Sequence, residues 1–175
     1  TRIESSAASD VYKRQVWDRH SIFQKALNQS KQSKKYVLHD GPPYANGDIH
    51  IGHAVNKILK DFIIKSKIMS GYHTPFTPGW DCHGLPIELQ VEKKYGKGKF
   101  KDNPNAFVAA CREFANKQIE KQKADFIRLG VFADWDNPYT SMDKEVEAGI
   151  VKSLSKMIDN NHIYFGSKPV HWCIE

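Results

Sequence analysis

The chain has 175 residues, room for one ordinary domain or one domain and the start of another. With 40% hydrophobic and 11% aromatic residues it can bury a core, which excludes an intrinsically disordered polymer, and no run approaches the roughly 18 apolar residues of a membrane span. Twenty-six Lys and Arg against 20 Asp and Glu leave a net charge of +6, a mild lean toward a polyanionic partner such as a nucleotide or nucleic acid.

Residues 1–15 hold Ser5-Ser6-Ala7-Ala8-Ser9 and mixed charges, with no apolar core for a secretory signal or a transit peptide; they read as a disordered leader, or a cloning or assembly scar. Val16, Ile22, Phe23, Ala26 and Leu27 predict a helix to about Asn28, and a polar patch separates it from a short strand, Tyr36-Val37-Leu38-His39. The next residues, Asp40-Gly-Pro-Pro-Tyr-Ala-Asn-Gly47, must form a loop, since two prolines remove two donors and two glycines permit backbone shapes other residues resist. A helix follows from about His50 to a glycine stop at Gly71. Ile51, Ala54, Val55, Ile58, Leu59 and Phe62 form its apolar stripe, and Lys57, Lys60, Asp61 and Lys65 lie off it.

A second short apolar segment, His73 to Pro78, completes a strand–turn–helix–strand order that predicts the beginning of a parallel α/β sheet. Beyond Gly79-Trp-Asp-Cys-His-Gly84 the pattern predicts helices over about 86–95, 104–129 and 143–159, with a basic loop over 96–103. In the long helix Phe107, Cys111, Phe114, Ile119 and Phe126 are the expected buried positions. Ile163-Tyr-Phe165 and Pro169-Val-His-Trp-Cys173 read as strands around Gly166, and the chain stops in mid-strand at Glu175, as if truncated. Cys82, Cys111 and Cys173 are an odd number with no Cys-x-x-Cys pair, which excludes a disulfide framework and a complete zinc hook and points to a reducing compartment.

The chemistry concentrates at His50-Ile-Gly-His53. A helix start offers unpaired N–H groups and roughly half a positive charge, and so favours phosphate. Imidazoles three residues apart project from one side of that turn and can donate to phosphate oxygens, or add positive charge near neutral pH. Gly52 lets a flat base or a ribose approach the backbone. Without further context, a pair of surface histidines is an equal reading.

The context favours the phosphate site. Asp40-Gly-Pro-Pro-Tyr-Ala-Asn-Gly-Asp-Ile-His-Ile-Gly-His53 resembles the first signature of the class I aminoacyl-tRNA synthetases, and Gly79-Trp-Asp-Cys-His-Gly-Leu-Pro-Ile-Glu88 resembles the segment that follows it in the isoleucine-specific enzymes. Asp125-Phe-Ile-Arg-Leu-Gly130, Asp134-Trp135 and Lys168-Pro-Val-His-Trp-Cys173 look similar too, so the likeness covers roughly residues 16–175.

The resemblance implies the first half of a Rossmann-like catalytic domain over residues 16–160, with an inserted domain beginning at 161–175. It implies a cytoplasmic enzyme with ATP, L-isoleucine and tRNA(Ile) as partners, Mg²⁺ accompanying ATP, and zinc only in the complete protein, through Cys173 and a later cysteine. His50 and His53 would be catalytic and, with Gly52 and Asn46, would bind ATP; Gly41, Pro42 and Asp81 would bind the amino acid, Asp81 through its ammonium group. The second signature of the family, Lys-Met-Ser-Lys-Ser, is absent, so one wall of an active site is expected. Two alternatives stay open: a small nucleotidyltransferase with a histidine–glycine–histidine turn, and a non-catalytic synthetase-like module that binds RNA or protein.

Overall fold

A computed structural model describes residues 2–96 and 98–172. Its elements run, in chain order, α1 (Arg2–Arg19), α2 (Ile22–Gln29), α3 (Ile51–Met69), β1 (Gly79–Trp80), α4 (Leu85–Tyr95), α5 (Pro104–Arg128), β2 (Tyr139–Thr140) and α6 (Lys144–Asp159). The chain divides into two compact units, Thr1–Ser141 and Met142–Glu175.

Helices dominate, and the sheet is small. β1 and β2 pair in parallel, Gly79 with Tyr139 and Trp80 with Thr140. The expected strand 36–39 is an extended segment that meets its neighbour only at isolated parallel bridges, Lys35 to His73 and Tyr44 to Asp81. Three extended segments therefore lie side by side in parallel, with α3 connecting the first to the second, as the strand–helix–strand order required. The ladder between the first two is broken because Pro42, Pro43, Pro75 and Pro78 have no N–H to give. Its surviving bonds are at the ends: His73 N–H to the Lys34 carbonyl (3.1 Å) and Tyr36 N–H to the His73 carbonyl (2.9 Å) at one, Ala45 N–H to the Asp81 carbonyl (2.9 Å) and Asp81 N–H to the Pro43 carbonyl (2.8 Å) at the other.

Several expectations change. The leader predicted as disordered is helical from Arg2, which its Ala, Glu, Lys and Arg content allows. The helix expected to run from 16 is broken at His20–Ser21, where Ser21 adopts a left-handed conformation (φ 48°) between α1 and α2. Residues 163–172 contain no strand, and Cys173 and Glu175 lie outside the described residues. In α5, Ile119 and Phe126 are buried as expected, but Phe107, Cys111 and Phe114 are only half-buried.

The largest change is in α3. The stripe expected to pack inward faces solvent, with Ile51 80% exposed, Phe62 62% exposed, and Val55 and Leu59 also exposed. The opposite side, Lys57, Asp61 and Ile64, is buried. Burying two charged residues costs little here because each is answered. Lys57 is paired with Asp40, while Asp61 is paired with Lys65 and accepts from the Phe132 N–H at 2.8 Å. Ile64 joins Phe23, Phe76 and Ala133 in one apolar cluster beneath the helix. Trp80, Ile87, Val91, Ala115, Ile119 and Phe126 are also buried, and they lie on β1, α4 and α5. Burial of each such large side chain contributes about 1.5–3 kcal/mol.

Candidate active site at the start of α3

Three features converge at the carboxyl ends of the parallel segments: the loop 40–49, the first turn of α3, and the residues that follow β1 and β2. In open parallel sheets this end is where ligands bind.

His50 is the N-cap of α3 in extended conformation (φ −118°, ψ 176°). Its Nδ1 accepts the Gly52 N–H at 3.0 Å, and the Nδ1 of His53 accepts the His50 N–H at 3.2 Å. The two imidazoles thus cap the helix reciprocally, in the manner of a capping box, with ring centroids 4.0 Å apart. Each Nδ1 is an acceptor, so the neutral rings carry their proton on Nε2, the nitrogen left for a ligand. The pKa of His53 lies below the ordinary 6.5, mainly because burial disfavours its charged form and then because His50 and Lys57 repel a further positive charge. At neutral pH His53 is therefore a neutral Nε2–H donor, where the sequence allowed a cation.

Gly52 has a second purpose that the sequence did not suggest. A Cβ there would stand 2.9 Å from Cε1 and 3.0 Å from Nδ1 of His50, so the His50 ring occupies the space a side chain would need.

Gly41, Pro43, His50, Gly52, His53, Asn56 and Lys57 line a cleft of about 190 Å³. That is below the roughly 300–1,000 Å³ of complete small-molecule pockets. Of the residues singled out from sequence, Gly41, His50, Gly52 and His53 meet here. Pro42 does not line the cleft; it stacks on Gly79, whose Cβ position is 3.5 Å from the proline ring. Asn46 is half-buried in the neighbouring loop. Asp81 sits at the end of β1, bridged to Tyr44, and its Oδ1 accepts from the Ser141 hydroxyl and the His83 N–H, each at 3.3 Å. These are long bonds to neutral donors, which leave the carboxylate charge without a cation among these partners. His83 packs alongside, its Nε2 2.8 Å from the Ser141 carbonyl.

Three residues not found from sequence shape the site. Lys57 and Lys60 both reach the Asp40 carboxylate, which also accepts the Gly79 N–H at 3.0 Å, so α3, the loop and β1 share one buried charge cluster. Burial pulls the Lys57 pKa down from its ordinary 10.5, with Lys60 adding to the fall and Asp40 opposing it. Gln122, from α5, bonds to the same loop and to Trp80. Lysines outside the apolar stripe of an amphipathic helix normally read as solvated, so no sequence signal pointed to them. Among the described residues, no group of three or more His, Cys, Asp or Glu could hold a metal ion, and no helix is long and apolar enough to cross a membrane.

A helix N-terminus capped by paired histidines thus stands at the mouth of a parallel sheet. The chain belongs to the class I tRNA synthetases (I, L, M and V), whose family pattern matches residues 12–175. It is 61% identical over 159 residues to the isoleucine–tRNA ligase of Shewanella piezotolerans, covering 91% of this chain and 17% of that protein. To the isoleucine–tRNA ligase of Haemophilus ducreyi it is 58% identical over the same share of each. The chain thus spans about a sixth of the relatives it matches. Among solved structures it is similar to a LeuRS of Agrobacterium radiobacter K84, determined as a ternary complex with tRNA and LeuAMS. That likeness has a TM-score of 0.68 at 26% identity and covers 89% of this chain and 18% of that one.

Proposed function

We propose that this chain is the N-terminal part of the catalytic domain of an isoleucine–tRNA ligase, which activates L-isoleucine with ATP and passes it to tRNA(Ile). The reciprocal histidine cap facing the open end of a parallel sheet carries this reading, and the 57–61% identity to isoleucine–tRNA ligases names the amino acid.

In the first step the isoleucine carboxylate attacks the α-phosphorus of ATP in line, forming the aminoacyl-adenylate and releasing pyrophosphate. The protein's task is positioning and charge stabilisation. The Nε2–H groups of His50 and His53 donate to phosphate and ribose oxygens as charge builds, at the positive end of the α3 dipole. Gly52 makes room for the His50 ring beside the adenosine, and Asn46 contacts the nucleotide from the loop. Asp81 holds the α-ammonium of isoleucine, with Gly41 and Pro42 against the amino-acid side. Mg²⁺ would come with ATP on its phosphates and supply charge neutralisation, with no cluster of metal ligands among the described residues to hold it.

The domain assignment follows the same reading. The outward apolar stripe of α3, together with an extended first segment that is bridged on one side, supports a first half of a doubly wound domain over 16–160 whose second half covers that stripe. Residues 1–15 are then a leader outside the domain and 161–175 the start of an insertion. A cytoplasmic location suits the family.

The test is isoleucine-dependent ATP–pyrophosphate exchange in the complete protein that carries this segment. Asp81→Asn is expected to raise the KM for isoleucine at least tenfold, with the KM for ATP nearly unchanged. The 175-residue chain alone is expected to bind ATP weakly and to form adenylate slowly or not at all; exchange by it near the rate of an intact relative overturns the half-site reading. ATP binding with no amino-acid effect would favour the small nucleotidyltransferase instead.

A further inference from the structure

We propose that Gln122 is a positioning residue for this site, an inference that rests on the synthetase reading above. Gln122 lies on α5 and is 1% exposed. Its Nε2 donates to the Tyr44 carbonyl at 3.0 Å and to the Gly47 carbonyl at 2.7 Å, and its Oε1 accepts the Trp80 indole N–H at 2.9 Å. Both donor hydrogens of the amide are used, and its oxygen is occupied.

The three partners lie on the two parts of the site that must hold their distance. Tyr44 and Gly47 bracket Asn46 in the loop that runs straight into His50, and Trp80 immediately precedes Asp81. The loop has few other ties. Pro42 and Pro43 cannot donate, and the backbone bonds that link it to β1 are those between Pro43, Ala45 and Asp81. Beyond Ala45 the loop has no regular backbone ladder until α3 begins, and its other side-chain tie to α5 is the exposed Asp48–Lys121 pair. The Gln122 amide spans that gap. It fixes the two carbonyls on either side of Asn46 and ties them, through one side chain, to the strand that presents Asp81.

A residue that only filled the core would not need this chemistry. The position could be apolar, as its neighbours Ile119 and Phe126 on the same face of α5 are. An amide that reaches two loop carbonyls and one indole is a specific geometric constraint, and a buried polar group of this kind is costly unless every bond is made. The constraint acts on groups that meet the substrates and does not itself touch them. Its expected signature is therefore in the rate of the chemical step, where a displacement of about 1 Å can cost on the order of 10²-fold.

The experiment compares wild type, Gln122→Met and Gln122→Glu in the complete synthetase, by isoleucine-dependent pyrophosphate exchange per active site counted from the burst of adenylate. Met fills the volume but offers no donor. It is expected to lower kcat at least tenfold per active site, with the KM values for isoleucine and ATP changed less than threefold. If Gln122→Met does not fold, Gln122→Glu decides: it keeps the shape and the acceptor for Trp80 but cannot serve both loop carbonyls, and a kcat loss of at least threefold is expected. A folded variant with wild-type kcat and KM per active site, and only a lower melting temperature, overturns the proposal.

Should wild type show no isoleucine-dependent exchange, the synthetase reading fails and the clasp is decided by NMR of the 175-residue chain. A Trp80 indole resonance that shifts in Gln122→Met, together with faster hydrogen exchange at Ala45 to Gly47, supports positioning of the loop. Unchanged spectra there overturn it.

Discussion

Lys57 and Asp40 are ion-paired inside the protein, their side chains 2% and 4% exposed. The pair joins the helix that carries the histidines to the residue just before Gly41, and Asp40 extends it to Lys60 and to the Gly79 N–H on β1. A buried pair of this kind adds little stability over an apolar replacement, but removing one partner is expensive.

Asp40→Asn is therefore expected to destabilise the chain by about 3–5 kcal/mol, because it leaves the Lys57 ammonium buried and beside Lys60. Lys57→Met should cost less than half as much, since Asp40 keeps Lys60 and the Gly79 N–H. The double variant should recover part of the Asp40→Asn loss. Urea unfolding of the three variants checks this ordering; equal losses for the two single variants would contradict it.

Gly52→Ala separates helix stability from site geometry. Alanine in place of glycine favours the helix by about 1 kcal/mol, but the new methyl displaces the His50 ring and with it the cap, worth about as much. Folding stability should thus stay within about 1 kcal/mol of wild type while kcat/KM for pyrophosphate exchange in the complete protein falls at least tenfold. A large loss of stability with unchanged activity per active site would show that the ring is not held as described.

The pH dependence of His53 has a definite sign. Its folded pKa is lowered from 6.5, so below about pH 6.5 the unfolded chain takes up a proton that the folded chain resists. The contribution of His53 to stability is complete above that pH and is lost progressively as pH falls through its folded pKa. NMR titration of the His53 ring should give a value below 6.5, and Lys57→Met should raise it by removing one repelling charge. Pyrophosphate bound at the cap should raise it as well. A His53 pKa above 6.5 in the free chain would be incompatible with these surroundings.

The outward face of α3 makes a different prediction. Leu59→Lys and Phe62→Lys lie on exposed positions, so each should change the stability of the 175-residue chain by no more than about 0.5 kcal/mol. In the complete protein the same changes should destabilise the catalytic domain by at least about 2 kcal/mol, because the proposed second half-domain would bury that stripe there. Equal, small effects in both settings would remove the case for a covering half-domain.

Motif and pattern made much of this legible. The helix from His50 to the Gly71 stop, the loop before it, α4, α5 and α6 lie within a residue or two of their expected bounds, because caps, prolines and long helical stretches are local signals. The same local logic singles out the histidine pair and Gly52, which the fold brings to one cleft. What the pattern missed was non-local. Periodicity found two faces on α3 but chose the apolar one as inward, although Lys57 and Asp61 find partners 17 and 71 residues away in Asp40 and Phe132.

The sequence by itself determined the family of this chain and where its helices begin and end, since both are written in contiguous residues: the run from Asp40 to His53, the segment from Gly79 to Glu88, and the capping and turn residues. Only the tertiary structure decided which side of α3 is buried, which imidazole nitrogen caps the helix, and that Asp40, Lys57 and Gln122 join the loop to α3, α5 and β1. Those outcomes depend on where a carboxylate, an amide and a backbone N–H from distant segments come to rest, and a buried charge or amide is stable only where such partners meet it.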